Sequence, residues 1–423
     1  MKKKSDNFFK RFLRRLGPGF ITGSVDDDPS GIATYSQTGA QFGNSQLWTA
    51  SFSFPFMSAI QEMCGRIGII TGSGIAGVMK KNYPKIILYF SVLLLTIANV
   101  INIGVDLGAM TSSARLVFGI NFNIMIILMA TTSLLLQVFI PYKIYSRYLK
   151  YLTLSLLAYI IVVFFVKQDW GNVFFSTFIP HFSFTRDYFM NIVAILGTTI
   201  SPYLFFWQAG EEVEEEIKNK EIKSFGAGKP KLKSDAITNM RVDTIFGMFF
   251  SNLIMFFIML TAASTLGLQG INDIQTADQA AEMLRPIAGD FVYILFALGI
   301  IGTGLLAVPI LAGSVSYALA ETFDMKEGLY KKFKDAHGFY GIIILSTIIG
   351  VILNFTHLSS FKMLYYAAVL NGLVAPPLMF MILLISNNKK IMGSNRNGIV
   401  SNILGGLITV IMAISAVLLL IYL

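Results

Sequence analysis

Three consecutive acidic residues interrupt a segment that is otherwise apolar enough to lie in lipid. Asp26, Asp27 and Asp28 are followed directly by the sequence Pro-Ser-Gly at 29–31. An ionised carboxylate at the centre of a bilayer costs several kcal/mol, so such residues usually face a water-filled cavity or a partner. Proline removes a helical hydrogen bond, and glycine tolerates unwound backbone. The stretch therefore predicts a membrane helix that is broken in its middle, with carboxylates at the break.

The rest of the chain is also suited to a membrane. Of its 423 residues 54% are hydrophobic and only 13% are charged, whereas a soluble chain carries about a quarter charged residues. Windows of about 20 apolar residues mark membrane-spanning helices. We therefore predict an all-α integral membrane protein whose eleven spans cross the lipid bilayer at residues 17–42, 46–68, 86–112, 122–141, 146–166, 188–209, 239–267, 289–321, 338–355, 360–386 and 398–422.

The positive charges predict the topology, because cytoplasmic loops collect lysine and arginine. With the amino terminus inside, 28 of the 33 basic residues fall in the segment 1–16 or in and beside cytoplasmic loops, and five fall elsewhere: Arg115, Lys167, Arg186, Arg285 and Lys362. The net charge of +9 is thus a topological signal, and no nucleic-acid partner is expected. We predict a multi-pass protein of the cell membrane with a cytoplasmic amino terminus and an external carboxyl terminus.

A second broken helix is expected in span 6. Many transporters consist of two inverted repeats, each with a discontinuous helix near the middle of the membrane. If the first five spans form one repeat, span 6 begins the second, and it contains Gly197 and Pro202 on either side of Thr198 and Ser201. An ordinary proline kink is the alternative. Two crossing breaks would surround a cation cavity with backbone carbonyls and the acids of span 1.

The predicted organisation has two repeats of five spans. The first repeat covers 17–166 and the second covers 188–386, with an external loop at 167–187 between them and a polar cytoplasmic loop at about 211–238 within the second. The basic cytoplasmic segment 1–16 precedes the repeats, and an additional span at 398–422 follows them. We expect the chain to work as a monomer.

Three stretches resemble a known family. The sequence Gly-Pro-Gly-Phe at 17–20, the Asp-Pro pair at 28–29 and residues 39–43 are similar to the first helix of the Nramp family of divalent-metal transporters. Residues 61–72 resemble its second helix and residues 386–393 the end of its tenth. The resemblance implies a fold of the leucine-transporter type, with the substrate site between helices 1 and 6. It also implies that the metal ion is a transported substrate, that no cofactor is needed, and that the protein is not an enzyme.

The motif in the first helix departs from the family pattern. The family has Asp-Pro-Gly-Asn, with the aspartate and asparagine as metal ligands, where this chain has Asp28-Pro29-Ser30-Gly31. Asp28 is therefore the expected principal ligand, with helix capping as the alternative reading. Gly31 stands where the family has its amide ligand. Asp27 is expected to contact the ion through water or to face the outer vestibule, and helix capping is again the alternative.

The sixth helix departs in a way that changes the chemistry of the site. The family's Met-Pro-His is replaced by Ser201-Pro202-Tyr203, and the carbonyl ligand three residues earlier corresponds to Thr198. Thioethers suit soft or borderline ions, whereas oxygen ligands suit Mg²⁺, Ca²⁺ and Mn²⁺, and Mg²⁺ usually keeps several waters. Ser201 and Gly31 therefore predict a roomy, oxygen-lined pocket. The chain resembles the Nramp-related branch associated with magnesium transport, in which Mn²⁺ is also carried.

Proton coupling is not expected. The family's histidines on helix 6 correspond to Tyr203 and Gln208, and helix 3 keeps only Asp106 near an acidic family position. A proton relay needs titratable groups in series, so we predict transport driven by the ion gradient and the membrane potential. Asn371 stands where helix 10 of the family usually has a glutamine. The histidines of the chain are predicted to be surface residues in or beside loops: His181, His337 and His357.

The roles of three further acidic residues each allow two interpretations. Asp106 forms an ion pair with the nearby Arg115 in the preferred reading and takes part in transport in the other. Glu211 and Glu212 follow span 6 by about two turns. They are expected to form a solvated helix face, and attraction of cations to an inner vestibule is the alternative.

Other functions remain open at this point. A proton-coupled Mn²⁺ or Fe²⁺ symporter would keep the ordinary behaviour of the family. A sodium-coupled amino-acid carrier of the same fold would be disfavoured by three acids beside the substrate carboxylate. An intramembrane aspartyl protease needs two aspartates that share a proton, which Asp28 and Asp106 could supply, although the Tyr-Asp and Gly-x-Gly-Asp signatures of such enzymes are absent. A sensor that does not transport is a further alternative.

Overall fold

A computed structural model describes residues 17–140, 153–355 and 360–422, and these residues form helices, turns and loops without a β-strand. We number its α-helices in chain order: α1 Pro18–Asp26, α2 Pro29–Phe42, α3 Trp48–Thr71, α4 Ile75–Asn82, α5 Lys85–Phe118, α6 Phe122–Phe139, α7 Leu157–Phe165, α8 Trp170–Phe178, α9 Arg186–Thr199, α10 Pro202–Lys218, α11 Ala236–Ser264, α12 Ala277–Ala281, α13 Arg285–Ala288, α14 Val292–Thr322, α15 His337–Leu353, α16 Ser360–Asn387, α17 Lys389–Met392 and α18 Ile399–Tyr422.

Many of these helices are suited to cross a membrane. Seven helical stretches of the described chain are long and apolar enough to do so: Lys85–Phe118, Phe122–Phe139, Arg186–Lys218, Ala236–Gln269, Ala277–Thr322, Phe361–Asn387 and Ile399–Ile421. Two shorter apolar helices occur at Leu154–Phe165 and His337–Leu353. Each of the eleven predicted spans coincides with helix in its described part. The count of eleven crossings and the division into two repeats stay predictions.

Both predicted helix breaks are confirmed. The first helical segment, α1, ends at Asp26, and α2 begins at Pro29 with Asp28 as its N-cap residue. Proline suits the first position of a helix because its missing N–H would have no intrahelical partner there. Likewise α9 ends at Thr199 and α10 begins at Pro202. Spans 1 and 6 therefore each consist of two half-helices joined by two non-helical residues, of which the second is extended: Asp27 and Asp28 in span 1, Ile200 and Ser201 in span 6.

Glycines fix the half-helices against their neighbours. A Cβ atom added at Gly19 would lie 2.6 Å from the backbone nitrogen of Thr244, so α1 lies directly against α11. Gly23 and Gly247 make a second backbone contact between the same helices. Small residues allow this close approach, which is common between membrane helices. The packing of α1 against α11 therefore determines where the first break lies in space, whereas the local sequence determines where it lies along the chain.

Candidate functional site

Asp28 lies at the first break with its carboxylate buried. Its Oδ1 accepts hydrogen bonds from the Ser30 hydroxyl at 2.6 Å and from the backbone N–H of Gly31 at 2.8 Å. Its Oδ2 accepts from the phenol of Tyr203 at 3.1 Å. Asp28 therefore does cap α2, as the alternative reading expected. The cap uses one oxygen and leaves the other directed at α10, so capping and cation binding are compatible.

The structure brings Gly31, Thr198 and Ser201 to the same place. The hydroxyls of Ser30 and Thr198 lie 3.4 Å apart, so the two breaks meet. A Cβ atom added at Gly31 would lie 3.4 Å from Oγ1 of Thr198 and 3.1 Å from the carbonyl oxygen of Asp26. The Ser201 hydroxyl donates to the carbonyl of Thr198 at 2.6 Å. Carboxylate, carbonyl and hydroxyl oxygens thus converge where the half-helices meet.

Asp26 and Asp27 face a different helix. The hydroxyl of Ser251 on α11 donates to Oδ2 of Asp26 at 2.6 Å and lies 3.5 Å from Oδ1 of Asp27. Asp27 is only 1% exposed, so it does not line an open vestibule in this structure. Sequence reasoning missed Ser251, because nothing in the local pattern of α11 marks one serine as the partner of an aspartate 225 positions away.

A chain of polar contacts leads from the breaks along α10. Oε1 of Gln208 accepts from the hydroxyl of Thr22 on α1 at 2.6 Å, and its amide nitrogen donates to Glu212 at 2.8 Å. Glu211 and Glu212 are only 4% and 5% exposed. The prediction that they form a solvated face is therefore wrong. The reason is tertiary, because α10 is packed closely against α3, where a side chain at Gly68 would meet the backbone of Ala209.

Asp106 on α5 is fully buried, and neither carboxylate oxygen has a hydrogen-bond partner among the described residues. The predicted ion pair with Arg115 is wrong, since the Arg115 guanidinium instead lies 5.9 Å from the centre of the Phe122 ring. Nine residues are two and a half turns of helix, so the two side chains point to opposite sides. The side chain of Asn371 pairs with that of Asn102. The amide nitrogen of Asn102 donates to the side-chain oxygen of Asn371 at 2.8 Å.

The chain matches the family described as Nramp, natural resistance-associated macrophage protein-like, over residues 19–422. It belongs to the Nramp family. A protein of Agrobacterium fabrum named divalent metal cation transporter MntH is 26% identical over 297 residues, which are 68% of this chain and 61% of that relative. The protein of the same name from Erwinia tasmaniensis is 24% identical over 313 residues, with 71% of each chain covered.

Solved structures show the fold of this Nramp-family chain. A manganese transporter of Eremococcus coleocola, in complex with an aromatic bis-isothiourea compound, has a TM-score of 0.75 at 16% identity, covering 99% of this chain and 88% of the other. Mhp1, a nucleobase-cation-symport-1 family transporter in a closed conformation, has a TM-score of 0.57 and covers 96% of this chain and 90% of its own. The predicted transporter fold is confirmed. The chain belongs to the Nramp family and its MntH relatives are named as transporters, which agrees with the prediction that it is not an enzyme.

The residues at the two helix breaks offer mainly oxygen atoms as possible ligands. Within 17–140, 153–355 and 360–422, no group of three or more His, Cys, Asp and Glu side chains has an arrangement that could hold a metal ion. The oxygen atoms that converge between the breaks belong to the Asp28 carboxylate, to the hydroxyls of Ser30, Thr198 and Ser201, and to the Thr198 carbonyl. His181 and His337 are exposed, as predicted. His357 lies outside the described residues.

Proposed function

We propose that this protein is a membrane transporter that moves divalent metal cations by alternating access, with Mg²⁺ as its main substrate and Mn²⁺ as a second one. The observation that carries the proposal is the meeting of two broken helices at Asp28, where the Ser30 and Thr198 hydroxyls lie 3.4 Å apart. Broken helices near the membrane midplane are typical of substrate and ion sites in transporters. The names of the MntH relatives support a divalent cation.

The donor chemistry supports Mg²⁺. Asp28 supplies one carboxylate and Thr198 a carbonyl and a hydroxyl, all of which are hard oxygen donors, and the Ser201 hydroxyl lies beside them and donates to the Thr198 carbonyl. Mg²⁺ is usually bound through one or two carboxylates while it keeps several of its waters. A soft thioether at position 201, which would favour transition metals, is replaced by the Ser201 hydroxyl. The pocket we propose therefore holds a partly hydrated ion.

We further propose that transport is not coupled to protons. The positions of the two family histidines on helix 6 carry Tyr203 and Gln208, and both are engaged in buried hydrogen bonds. A membrane potential supplies enough energy by itself, because a divalent ion gains about 4.6 kcal/mol per 100 mV.

Uptake into proteoliposomes tests this function. We expect the full chain to take up Mg²⁺ and Mn²⁺ in response to an inside-negative potential, with no change in the pH of the lumen. Ca²⁺ serves as the competing hard ion. The Asp28→Ala variant is the negative control, and full uptake by it would contradict the proposed site. Mn²⁺ uptake without any Mg²⁺ uptake would contradict the proposed substrate.

One observation favours a second candidate, a proton-coupled Mn²⁺ or Fe²⁺ symporter. The carboxylate of Asp106 is buried and has no hydrogen-bond partner in the described part of the chain, and intramembrane acids of this kind mark proton relays. Lumen acidification in step with metal uptake, lost in Asp106→Asn, would favour this candidate. Uptake without acidification by both wild type and Asp106→Asn would favour uncoupled transport.

We also propose that the chain works as a monomer in the cell membrane with its amino terminus in the cytoplasm. The bias of 28 basic residues to one side supports this orientation. Protease accessibility of an epitope tag at each terminus in right-side-out vesicles tests it. Only the tag at the carboxyl terminus should be cleaved from outside.

A further inference from the structure

Two hydroxyl groups at the start of α10 donate hydrogen bonds to oxygen atoms of the proposed cation site. The Ser201 hydroxyl lies 2.6 Å from the carbonyl oxygen of Thr198. The Tyr203 phenol lies 3.1 Å from Oδ2 of Asp28. All four residues are at least 99% buried, so no bulk water competes with these contacts.

The orientation of Ser201 is unusual for its position. Serine at the N-cap of a helix normally accepts a hydrogen bond from a backbone N–H of the first turn. Ser201 is the N-cap residue of α10, but its side chain makes no such bond. It points back across the break and donates to the carbonyls of Thr198 and Gly197, the latter at 3.0 Å. The carbonyl that a cation would need is therefore already an acceptor.

Tyr203 donates a hydrogen bond to Oδ2 of Asp28, the carboxylate oxygen that takes no part in capping α2. Ser30 and Gly31 use Oδ1, and Tyr203 uses Oδ2. The same phenol lies 3.4 Å from the carbonyl oxygen of Val25. It therefore has a second acceptor to which it can turn when a cation takes its place at Oδ2.

We propose that Ser201 and Tyr203 are positioning residues that set the affinity and charge selectivity of the site. Each hydroxyl occupies one lone pair of an oxygen atom that the cation would use, so an entering cation must share that oxygen with a hydrogen-bond donor or turn the donor away. A divalent ion gains twice the electrostatic energy of a monovalent one at the same distance. This competition therefore weakens binding of the substrate, which favours its release, and discriminates against Na⁺ and K⁺.

This inference rests on the proposed location of the cation site but not on the preference for Mg²⁺. Mn²⁺ is therefore the probe, with its binding to the purified full-length protein measured by calorimetry. We expect Ser201→Ala and Tyr203→Phe each to lower the Kd for Mn²⁺ by about 2- to 10-fold, because each removes one competing hydrogen bond. The double variant should combine both gains, and Na⁺ should compete with Mn²⁺ more strongly in it than in wild type.

Two matched variants remove hydroxyls elsewhere. Ser36→Ala loses a bond within α2 to the carbonyl of Ile32, and Tyr340→Phe loses a bond to the carbonyl of Lys331. Neither should change the Kd. Unchanged or weaker Mn²⁺ binding in both Ser201→Ala and Tyr203→Phe, in protein with a wild-type melting temperature, would overturn the inference. Wild-type affinity in Asp28→Asn would instead overturn the site itself, and binding of Mn²⁺ without Mg²⁺ would overturn only the proposed substrate.

Discussion

The side-chain hydroxyl of Thr22 lies 2.6 Å from Oε1 of Gln208. This bond joins α1 to α10, the two half-helices that lie on the same side of the breaks as the amino terminus in the predicted topology. Asp243 on α11 holds the start of α1 as well, by accepting from the backbone N–H groups of Gly17 at 2.9 Å and Gly19 at 2.8 Å. These contacts hold α1 against α10 and α11.

Removal of the Thr22 hydroxyl should loosen the attachment of α1 to α10. A buried acceptor that loses its donor costs about 1–3 kcal/mol, and about 1.4 kcal/mol is a tenfold change in an equilibrium. We therefore expect Thr22→Val to raise hydrogen-exchange rates of the α1 amides by about tenfold in mass spectrometry. The matched control is Ser24→Ala, which removes a bond to the carbonyl of Phe20 within the same helix. Equal exchange in both variants would show that the contact with Gln208 does not hold α1.

Asp28→Asn should separate the helix cap from cation binding. Asparagine and aspartate are about equally good N-cap residues, so the bond to the backbone N–H of Gly31 and the melting temperature should be retained. The negative charge is lost, and we expect at least about a 100-fold weaker affinity for Mn²⁺, since a charged hydrogen-bond or ion partner contributes more than a neutral one. Calorimetry beside a thermal melt measures both. A variant that binds normally would mean that Asp28 is a cap alone.

Ser201→Met should shift the selectivity of the site toward softer ions. A thioether suits borderline and soft metals, whereas a hydroxyl suits hard ones. We expect the ratio of Cd²⁺ to Mg²⁺ affinity to rise by about tenfold or more, measured by competition in the uptake assay. Ser201→Leu is the control, because it adds similar volume without sulfur. An equal shift in both variants would assign the effect to volume.

The buried carboxyl group of Glu327 should make the stability of the folded protein depend on pH. It lies in the loop between α14 and α15, is 8% exposed, and its Oε2 has no hydrogen-bond partner within the described chain. Burial raises its pKa to about 10, and the charges of Glu321 and Glu214 add to the effect while Lys331 opposes it. The folded state therefore holds a proton that the unfolded state releases above about pH 4.3, so the contribution of this group to stability falls as pH rises from there toward 10.

Glu327→Gln should remove this dependence. We expect the melting temperature of the variant to exceed that of wild type by about 2–4 °C at pH 8. The two melting temperatures should become equal near pH 4, where the Glu327 carboxyl of wild type is mostly protonated in the folded and in the unfolded protein. Thermal unfolding between pH 4 and pH 9 measures the difference. A gap that is widest at pH 4 would contradict the assignment.

Some features of the site could be read from neighbouring residues alone. Pro29 and Pro202 act on their own backbone, so both helix breaks could be predicted without any knowledge of packing. The prediction that Gly31 and Gly197 form part of the breaks is wrong, because they lie inside α2 and α9. The opposite directions of Asp106 and Arg115 could also have been predicted, because they follow from helix geometry. The predicted ion pair between Asp106 and Arg115 does not form, because residues that are close along a helix can point to opposite sides of it.

Other features could not be predicted in this way. The acids Glu211 and Glu212 form part of a charged run that looks solvated, but the packing of α10 against other helices buries them. The partner of Gln208 lies 186 residues away in the chain, and the partner of Asp26 lies 225 residues away. No local pattern encodes which of many serines and threonines will meet them.

The sequence by itself therefore determined the membrane setting, the two broken helices and the oxygen chemistry of Asp28, Thr198 and Ser201. These depend on hydropathy, on backbone freedom and on the identity of ligand atoms, which each residue carries wherever it lies. Only the tertiary structure decided that Tyr203 turns its hydroxyl onto Oδ2 of Asp28, which lies 175 residues away in the chain. The direction of a hydrogen bond depends on which acceptors lie within about 3 Å, and the crossing of four half-helices determines that.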